Sequence, residues 1–307
     1  MGPQKILLQS TIPPTDDDWS IARFTQLAEL LRGQLDENGK PLYDVTARDR
    51  DPLGQSDSLL STIDRSDFDQ LWLFAVDTGD GLTEEDCEAI SRFRRGGRGL
   101  LVTRDHMDLG SSVCTLGGVG QAHYFHSKQQ DPDPAKRRRD DVDTTYIDWP
   151  NFHSGANGDY QEIEVVGEPH PVLANAQSST GFIRYLPSHP HEGGVGAPEG
   201  EEARVILRGI SQVTGLDFNI AVAFEAGAHG GPAIAESTFH HFADYNWNPG
   251  CGSPSFVTEP PGDGLKRVPE ALEDTQRYAL NIAAWLSGDS PAETREAIAM
   301  SNRVVSA

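Results

Sequence analysis

Positive charge is scarce in this chain. Against 47 Asp and Glu stand 25 Lys and Arg, a formal net charge of −22 at pH 7. A field of that sign repels phosphate groups, so nucleic acid and anionic membrane surfaces are poor partners. Cysteine is scarcer still. Cys87, Cys114 and Cys251 are an odd number at wide spacings, which fits neither a disulfide framework nor a Cys-x-x-Cys zinc site and leaves reduced thiols as the expectation. No stretch approaches the ~20 apolar residues that span a bilayer. Met1-Gly2-Pro3-Gln4-Lys5 leads into a strand-like run instead of a signal-peptide core, so the expected setting is the cytoplasm, away from membranes. No Gly-x-Gly-x-x-Gly follows the first strand and no Gly-Lys-Ser/Thr loop occurs, which removes the usual cradles for dinucleotides and nucleoside triphosphates. A Gly-x-Ser-x-Gly nucleophile elbow is missing as well. No organic cofactor is therefore expected, and a divalent metal held by His and Asp is the alternative.

What the chain does contain is regular alternation. Lys5–Thr11 (KILLQST) reads as a buried parallel strand, and the apolar spacing from Trp19 to Leu31 predicts a helix that Gly33 stops. Tyr43–Ala47 is a weak strand, Leu59, Leu60 and Ile63 suggest a short helix, and Phe68–Val76 is the clearest buried strand. Thr83 followed by Glu84, Glu85 and Asp86 is an N-cap with acidic residues in the first turn; that helix closes at Gly96-Gly97 before the strand Gly99–Thr103. Strand and helix in this order predict a doubly wound, flavodoxin-like, mostly parallel sheet with helices on both faces. In such sheets ligands bind beyond the carboxyl ends of the strands.

Residues 1–290 read as one α/β domain, followed by a tail over 291–307 in which Ala292–Met300 suggests a short helix. With 31 Gly and 20 Pro, long ordered loops are expected, and residues 110–202 read as a loop-rich insertion over one end of the sheet. Regularity resumes with strand candidates Arg204–Leu207, Phe218–Phe224 and Pro232–Phe242, and a helix over Pro269–Leu286. The long loops and the C-terminal extension offer surface for a homo-oligomer.

Two segments concentrate titratable groups at predicted strand ends. Arg104-Asp105-His106-Met107-Asp108 follows one strand, where a His between two carboxylates suits a general base or a metal ligand. The second runs from Glu236 to Trp247 and offers His240, His241 and Asp244 as acid/base candidates, with Tyr245 and Trp247 able to stack on a sugar ring. Alternate residues of a strand face opposite ways, so only one of His240 and His241 is expected in the pocket. Asp16, Asp17, Asp18, Asp77 and Asp80 are expected to gather at the same mouth, with Asp17 and Asp77 as ligand-binding candidates. His123-Tyr124-Phe125-His126 has the spacing of a helical metal pair but also reads as an aromatic loop over the pocket, His123 being the ligand-binding candidate there. His189-Pro190-His191 and His170 stand beside prolines and read first as rigid turns. The basic run Lys136–Arg139 is flanked by aspartates and reads as a self-neutralised loop.

One order of short motifs resembles a known family. Leu73–Val76, then Leu82-Thr83-Glu84-Glu85, then Phe93-Arg94-Arg95-Gly96-Gly97-Arg98-Gly99, is followed by Leu116-Gly117-Gly118, His123, Glu168-Pro169-His170-Pro171-Val172 and a strand ending in His240 before a Trp and a last helix. This order, from Lys5 to Leu286, is similar to the trehalose-utilisation (ThuA-like) family of the class I glutamine amidotransferase-like superfamily. The resemblance implies that fold and a sugar-related ligand, with His106 and Asp108 matching the family's His and downstream Asp at a shift of one residue, which leaves either Asp105 or His106 to face the pocket, and His240 or His241 its later His. True amidotransferases of the superfamily carry a nucleophilic Cys at the elbow. Here that position reads Thr103-Arg104-Asp105-His106, and Cys114 lies beyond the loop, so thiolate acyl transfer is not expected.

The expected function is binding or conversion of a small sugar- or polyol-like ligand by His and Asp residues. The alternatives are a non-catalytic binding or assembly module of the same fold, and a His/Asp metal-binding protein.

Overall fold

A computed structural model describes residues 2–288; the helix suggested over Ala292–Met300 lies outside them. One eight-stranded sheet carries the fold, built from β1 (Gln4–Ser10), β2 (Tyr43–Arg48), β3 (Gln70–Phe74), β4 (Gly99–Thr103), β5 (Glu164–Val165), β6 (Ala203–Ile210), β7 (Asp217–Phe224) and β8 (Ala233–Glu236). Their spatial order is β2-β1-β3-β4-β8-β7-β6-β5. The first five pair in parallel, and β7, β6 and β5 extend the sheet by antiparallel pairing. The mostly parallel α/β sheet expected from the sequence is thus the observed one. β1 lies between β2 and β3, so the connections on its two sides run off opposite faces and leave a crevice at the strands' carboxyl ends.

Strand periodicity divides the core into two layers. Ile6, Leu8, Trp72, Phe74 and Leu101 face helices α1 (Thr25–Arg32) and α3 (Pro269–Leu286). Leu7, Leu71, Leu73, Leu100 and Val102 face α2 (Glu84–Arg95). The start of α2 is fixed by a capping box: Asp86 N–H donates to Thr83 Oγ1 at 3.3 Å and Thr83 N–H to Asp86 Oδ2 at 3.0 Å. At Gly99 the end of α3 comes so close that a Cβ would stand 2.6 Å from the Leu286 carbonyl oxygen.

Three elements differ from expectation. The helix predicted over Trp19–Leu31 splits into a 3-10 turn (Ile21–Arg23) and α1, because the carboxylate of Asp244 accepts from Thr25 N–H at 3.0 Å and Gln26 N–H at 2.8 Å and fixes a fresh helix start there. β3 is shorter than Phe68–Val76: Val76 and Asp77 N–H turn to the Thr11 hydroxyl, at 2.9 and 3.2 Å. The strand predicted over Pro232–Phe242 stops at Glu236, and Phe239–Phe242 forms a 3-10 turn capped by Thr238, whose hydroxyl accepts from His240 N–H.

The segment over 110–202 contains two small two-stranded sheets, His123–Tyr124 with Gly194–Val195 and Tyr160–Glu162 with Tyr185–Pro187, and the short edge strand β5. Gly193 N–H donates to Ser237 O at 3.0 Å, which ties this segment to the end of β8. No helix among the described residues is long and apolar enough to cross a membrane.

Candidate functional site

The chain leaving β4 supplies Asp105 and His106, and Met107 takes φ +47° just beyond them. That left-handed kink is held by Met107 N–H donating to Pro150 O (2.9 Å) and Arg104 Nη2 donating to Met107 O (2.6 Å). The 3-10 turn after β8 supplies His240, and the insertion supplies His189 and His191. These side chains line a cavity of about 250 Å³ at the carboxyl ends of the strands. Its walls include Trp19, Ile147, Phe239 and Val257; Tyr146 and Phe256, 80% and 56% exposed, form the lip.

Asp105 is the hub. Thr238 Oγ1 donates to its Oδ1 at 3.0 Å, His189 Nε2 lies 3.5 Å from Oδ1, and His240 Nε2 lies 3.9 Å from Oδ2. His106 Nδ1 is 2.9 Å from Oδ2, but the contact is misaligned for a hydrogen bond and leaves that nitrogen without a partner. Burial alone would raise the Asp105 carboxyl; the neighbouring His106 outweighs it and holds the group well below the usual carboxylate range.

The protonation of the two inner histidines follows from their neighbours. Ser188 O, a carbonyl, can only accept, so the atom of Asn246 3.1 Å from it is the amide nitrogen. That nitrogen also donates to Asn157 Oδ1 at 2.9 Å. Asn157 Oδ1 is therefore an acceptor, and His189 Nδ1, 2.9 Å away, carries a proton and donates to it. Asn246 Oδ1 accepts in the same way from His240 Nδ1 at 2.8 Å. Burial holds both rings neutral, pushing His189 down to about 4 and His240 well below its ordinary value. Each Nε2 is thus a bare lone pair directed at Asp105.

Two satellite groups flank this centre. His191 stands between Asp141 (Nδ1 to Oδ2, 3.1 Å) and Glu259 (Nε2 to Oε1, 3.1 Å), with its ring 5.3 Å from that of His106. The hydrogen bond from His191 holds Glu259 down to about 2. Behind the cavity, His241 lies fully buried between Glu236 (Nδ1 to Oε2, 3.0 Å) and Glu192 (Nε2 to Oε2, 3.5 Å). Burial opposes its charge, but the two carboxylates prevail and raise it to about 10. Tyr278 O–H donates to the other oxygen of Glu236.

The structure brings Asp105, His106 and His240 together and places the remaining sequence candidates elsewhere. Asp108 is a correction: its carboxylate binds Ser127 N–H and Oγ on the rim and lines no part of the cavity. His241 points away from the cavity, because a tight turn sends adjacent residues in divergent directions. Asp244 caps α1, and Tyr245 and Trp247 are core residues; the Trp247 indole N–H donates to His241 O. Asp17 holds Ser255 and Asp77 holds Ser112 and Gly79 N–H, so these two aspartates shape loops and do not line the cavity. His123 lies beneath β4 with Nδ1 3.2 Å from Val119 O and Nε2 3.3 Å from Val102 O, whereas His126 binds Trp149 O. No helix joins these two rings. The residues missed by sequence reasoning, Asn157, His189, His191, Asn246 and Glu259, come mostly from loops; the pair of histidines around Pro190 and the stretch Glu236–Trp247, which contains Asn246, were their visible signals.

No family model and no curated protein matches the chain. Solved structures similar to it include the mmIFT52 N-terminal domain (11% identity over 92% of this chain and 97% of that one, TM-score 0.49). Cytoplasmic protein STM1381 from Salmonella typhimurium LT2 is 12% identical over 94% of this chain and 100% of that one, with a TM-score of 0.46. The glutaminase domain of Trypanosoma brucei CTPS, solved with bound acivicin, is 11% identical over 93% and 94%, with a TM-score of 0.44. Likeness at this level concerns the path of the chain, and the chemistry has to come from the residues in the cavity.

Proposed function

We propose that the chain binds and acts on a small, neutral sugar- or polyol-like ligand in the cavity above Asp105, by proton transfer and without a cysteine nucleophile. One observation carries this: Asp105 and its histidines form the floor of a cavity of about 250 Å³ whose walls are aromatic, and among the described residues no Lys or Arg lines it. The volume suits a ligand of monosaccharide size, near the lower end of small-molecule pockets. Trp19, Tyr146 and Phe256 supply flat apolar faces, and Thr78, Thr144 and Asn157 supply hydroxyl and amide partners. Asp18 and Glu259 make the cavity hostile to phosphorylated or carboxylated ligands. His106 is the acid/base group: its side chain keeps 18% of its surface exposed, and its Nδ1 lies 2.9 Å from Asp105 Oδ2. The order of motifs that resembles the ThuA-like family supports a sugar-related ligand.

The test is a fluorescence titration with neutral monosaccharides and polyols against their phosphate esters, in wild type and in Trp19→Phe. Neutral ligands should change the emission of the wild type and leave most of that change absent in Trp19→Phe. Tighter binding of the phosphate esters would overturn the proposal. Once a substrate is in hand, His106→Ala should lower kcat by roughly 10²-fold or more, the usual worth of general acid/base catalysis.

A further inference from the structure

We propose that Asp105, His189 and His240 form a three-ligand site for a borderline divalent transition-metal ion, zinc being the type case, with its remaining coordination position turned toward the cavity. The site can be tested without any organic ligand and does not depend on the function proposed above.

One donor atom from each residue lies within 4.8 Å of the others, and all three residues are buried. Zinc binds imidazole nitrogen and carboxylate oxygen at roughly 2.0–2.2 Å, so donors around a tetrahedral ion stand roughly 3.3–3.5 Å apart. His189 Nε2 lies 3.5 Å from Asp105 Oδ1 and His240 Nε2 lies 3.9 Å from Oδ2, so each nitrogen is near a different oxygen of the carboxylate; a single oxygen stands within 4.8 Å of both nitrogens, and loading draws the three donors together by up to about an ångström.

Electrostatics points the same way. Both Nδ1 atoms are committed as donors to Asn157 and Asn246, so both Nε2 atoms direct lone pairs at the Asp105 carboxyl oxygens. His189 Nε2 is buried and has no hydrogen-bond partner. Three electron-rich groups facing one another in a low-dielectric interior are costly unless a cation lies between them. The amide oxygens that fix the imidazole tautomers also provide the outer support that metal-bound histidines require, and Thr238 does the same for Asp105. Two nitrogens and one oxygen favour zinc, cobalt or nickel over calcium or magnesium, which prefer oxygen donors throughout. The His189 and His240 rings stack with centroids 3.5 Å apart at an angle of 16°. Loading therefore opens the stack so that both lone pairs converge on the ion.

The experiment uses the full chain, stripped with a chelator and titrated with Zn²⁺ by calorimetry and with Co²⁺ by visible absorption. One ion per chain is expected, with the intense visible bands of four- or five-coordinate cobalt. His189→Ala and His240→Ala should each weaken binding by at least about 10²-fold. Asn246→Ala should weaken it by about 10–100-fold, the usual cost of losing an outer-shell partner. His191→Ala, on the flanking Asp141–His191–Glu259 group, should leave it within a few-fold. Should the alanine variants misfold, His189→Gln and His240→Gln preserve size and polarity, and the wild-type cobalt spectrum stands independently of any variant. Absence of stoichiometric binding, a weak octahedral cobalt spectrum, or loss of binding in His191→Ala with retention in His189→Ala would each overturn the site. A chain that binds zinc but no polyol keeps the metal site and refutes the proposed ligand; the converse result does the opposite.

Discussion

Acid should weaken this fold through His123, by an amount that follows from where the ring sits. His123 is fully buried, and burial together with nearby Arg104 pushes its pKa down to about 3. In the unfolded chain the same imidazole titrates near ~6.5. Because the folded value is the lower one, the unfolded chain takes up a proton between roughly pH 6.5 and pH 3 while the folded chain does not. The stability contributed by the neutral ring is complete above that window and is lost as pH falls through it, with a slope approaching ~1.4 kcal/mol per pH unit. Two units below the unfolded value, near about pH 4.5, the loss from this single residue reaches about 3 kcal/mol. Urea midpoints measured from about pH 7.5 down to about pH 4.5, in wild type and in His123→Leu, provide the assay. All other groups titrate in both proteins, including His170, which burial pushes down to about 4. The difference between the two slopes therefore isolates His123, whatever constant cost the leucine adds. The variant should be less sensitive to pH by nearly one proton; two parallel curves would refute the neutral burial of this ring.

Other perturbations follow from contacts at the core and at helix ends. Tyr278→Phe removes a donor to the buried Glu236 carboxylate and should cost about 1.5–3 kcal/mol, read in calorimetry as a fall in Tm of about 2–5 °C; an unchanged Tm would mean that this carboxylate does not need the phenol. Thr83→Ala breaks the capping box of α2 and should lower stability by about 1 kcal/mol, measured as a shift of the urea midpoint without a change in its slope. Gly99→Ala drives a methyl group onto the end of α3 and should cost about 1–3 kcal/mol. Equal stability of Gly99→Ala and wild type would show that α3 yields easily at its end.

Much of the sheet can be read from sequence because its strands are apolar on both faces and its second helix carries its own stop and start signals. Ile6–Leu8 and Leu71–Phe74 are buried whichever way they point, so a short apolar run suffices to find them. The 239–242 turn escapes such reasoning because Phe-His-His-Phe has the apolar content of a strand end, and only the Thr238 hydroxyl, a local competitor for backbone bonds, breaks the ladder. Asp105, His106 and His240 are visible as polar residues that follow strands. Asn157 and Asn246 are not, since their importance lies in which atom accepts from which ring, and no spacing rule encodes that. His189 and His191 look like turn residues because Pro190 separates them; their partners are Asp141 and Glu259, in two distant loops, and the strand-end Asp105.

The hydrogen bond from Thr238 to Asp105 closes a separation of 133 residues, and that from Asn246 to Asn157 one of 89. The parallel pairing of β4 with β8 directly beneath the hub, Leu100 to Ala233, spans the same 133-residue separation, so during folding the hub at Asp105 and that strand pair share one costly chain closure and assemble together. The same coupling holds in the native protein. The segment over 110–202 gives the main sheet only the two-residue strand β5, yet it fills both core layers with buried Val113, Phe125, Phe152, Val172 and Leu186, so it cannot lift away without opening the core. Amide exchange should accordingly protect Phe152 and Leu186, near the histidine cluster, on the scale of β3 and β4.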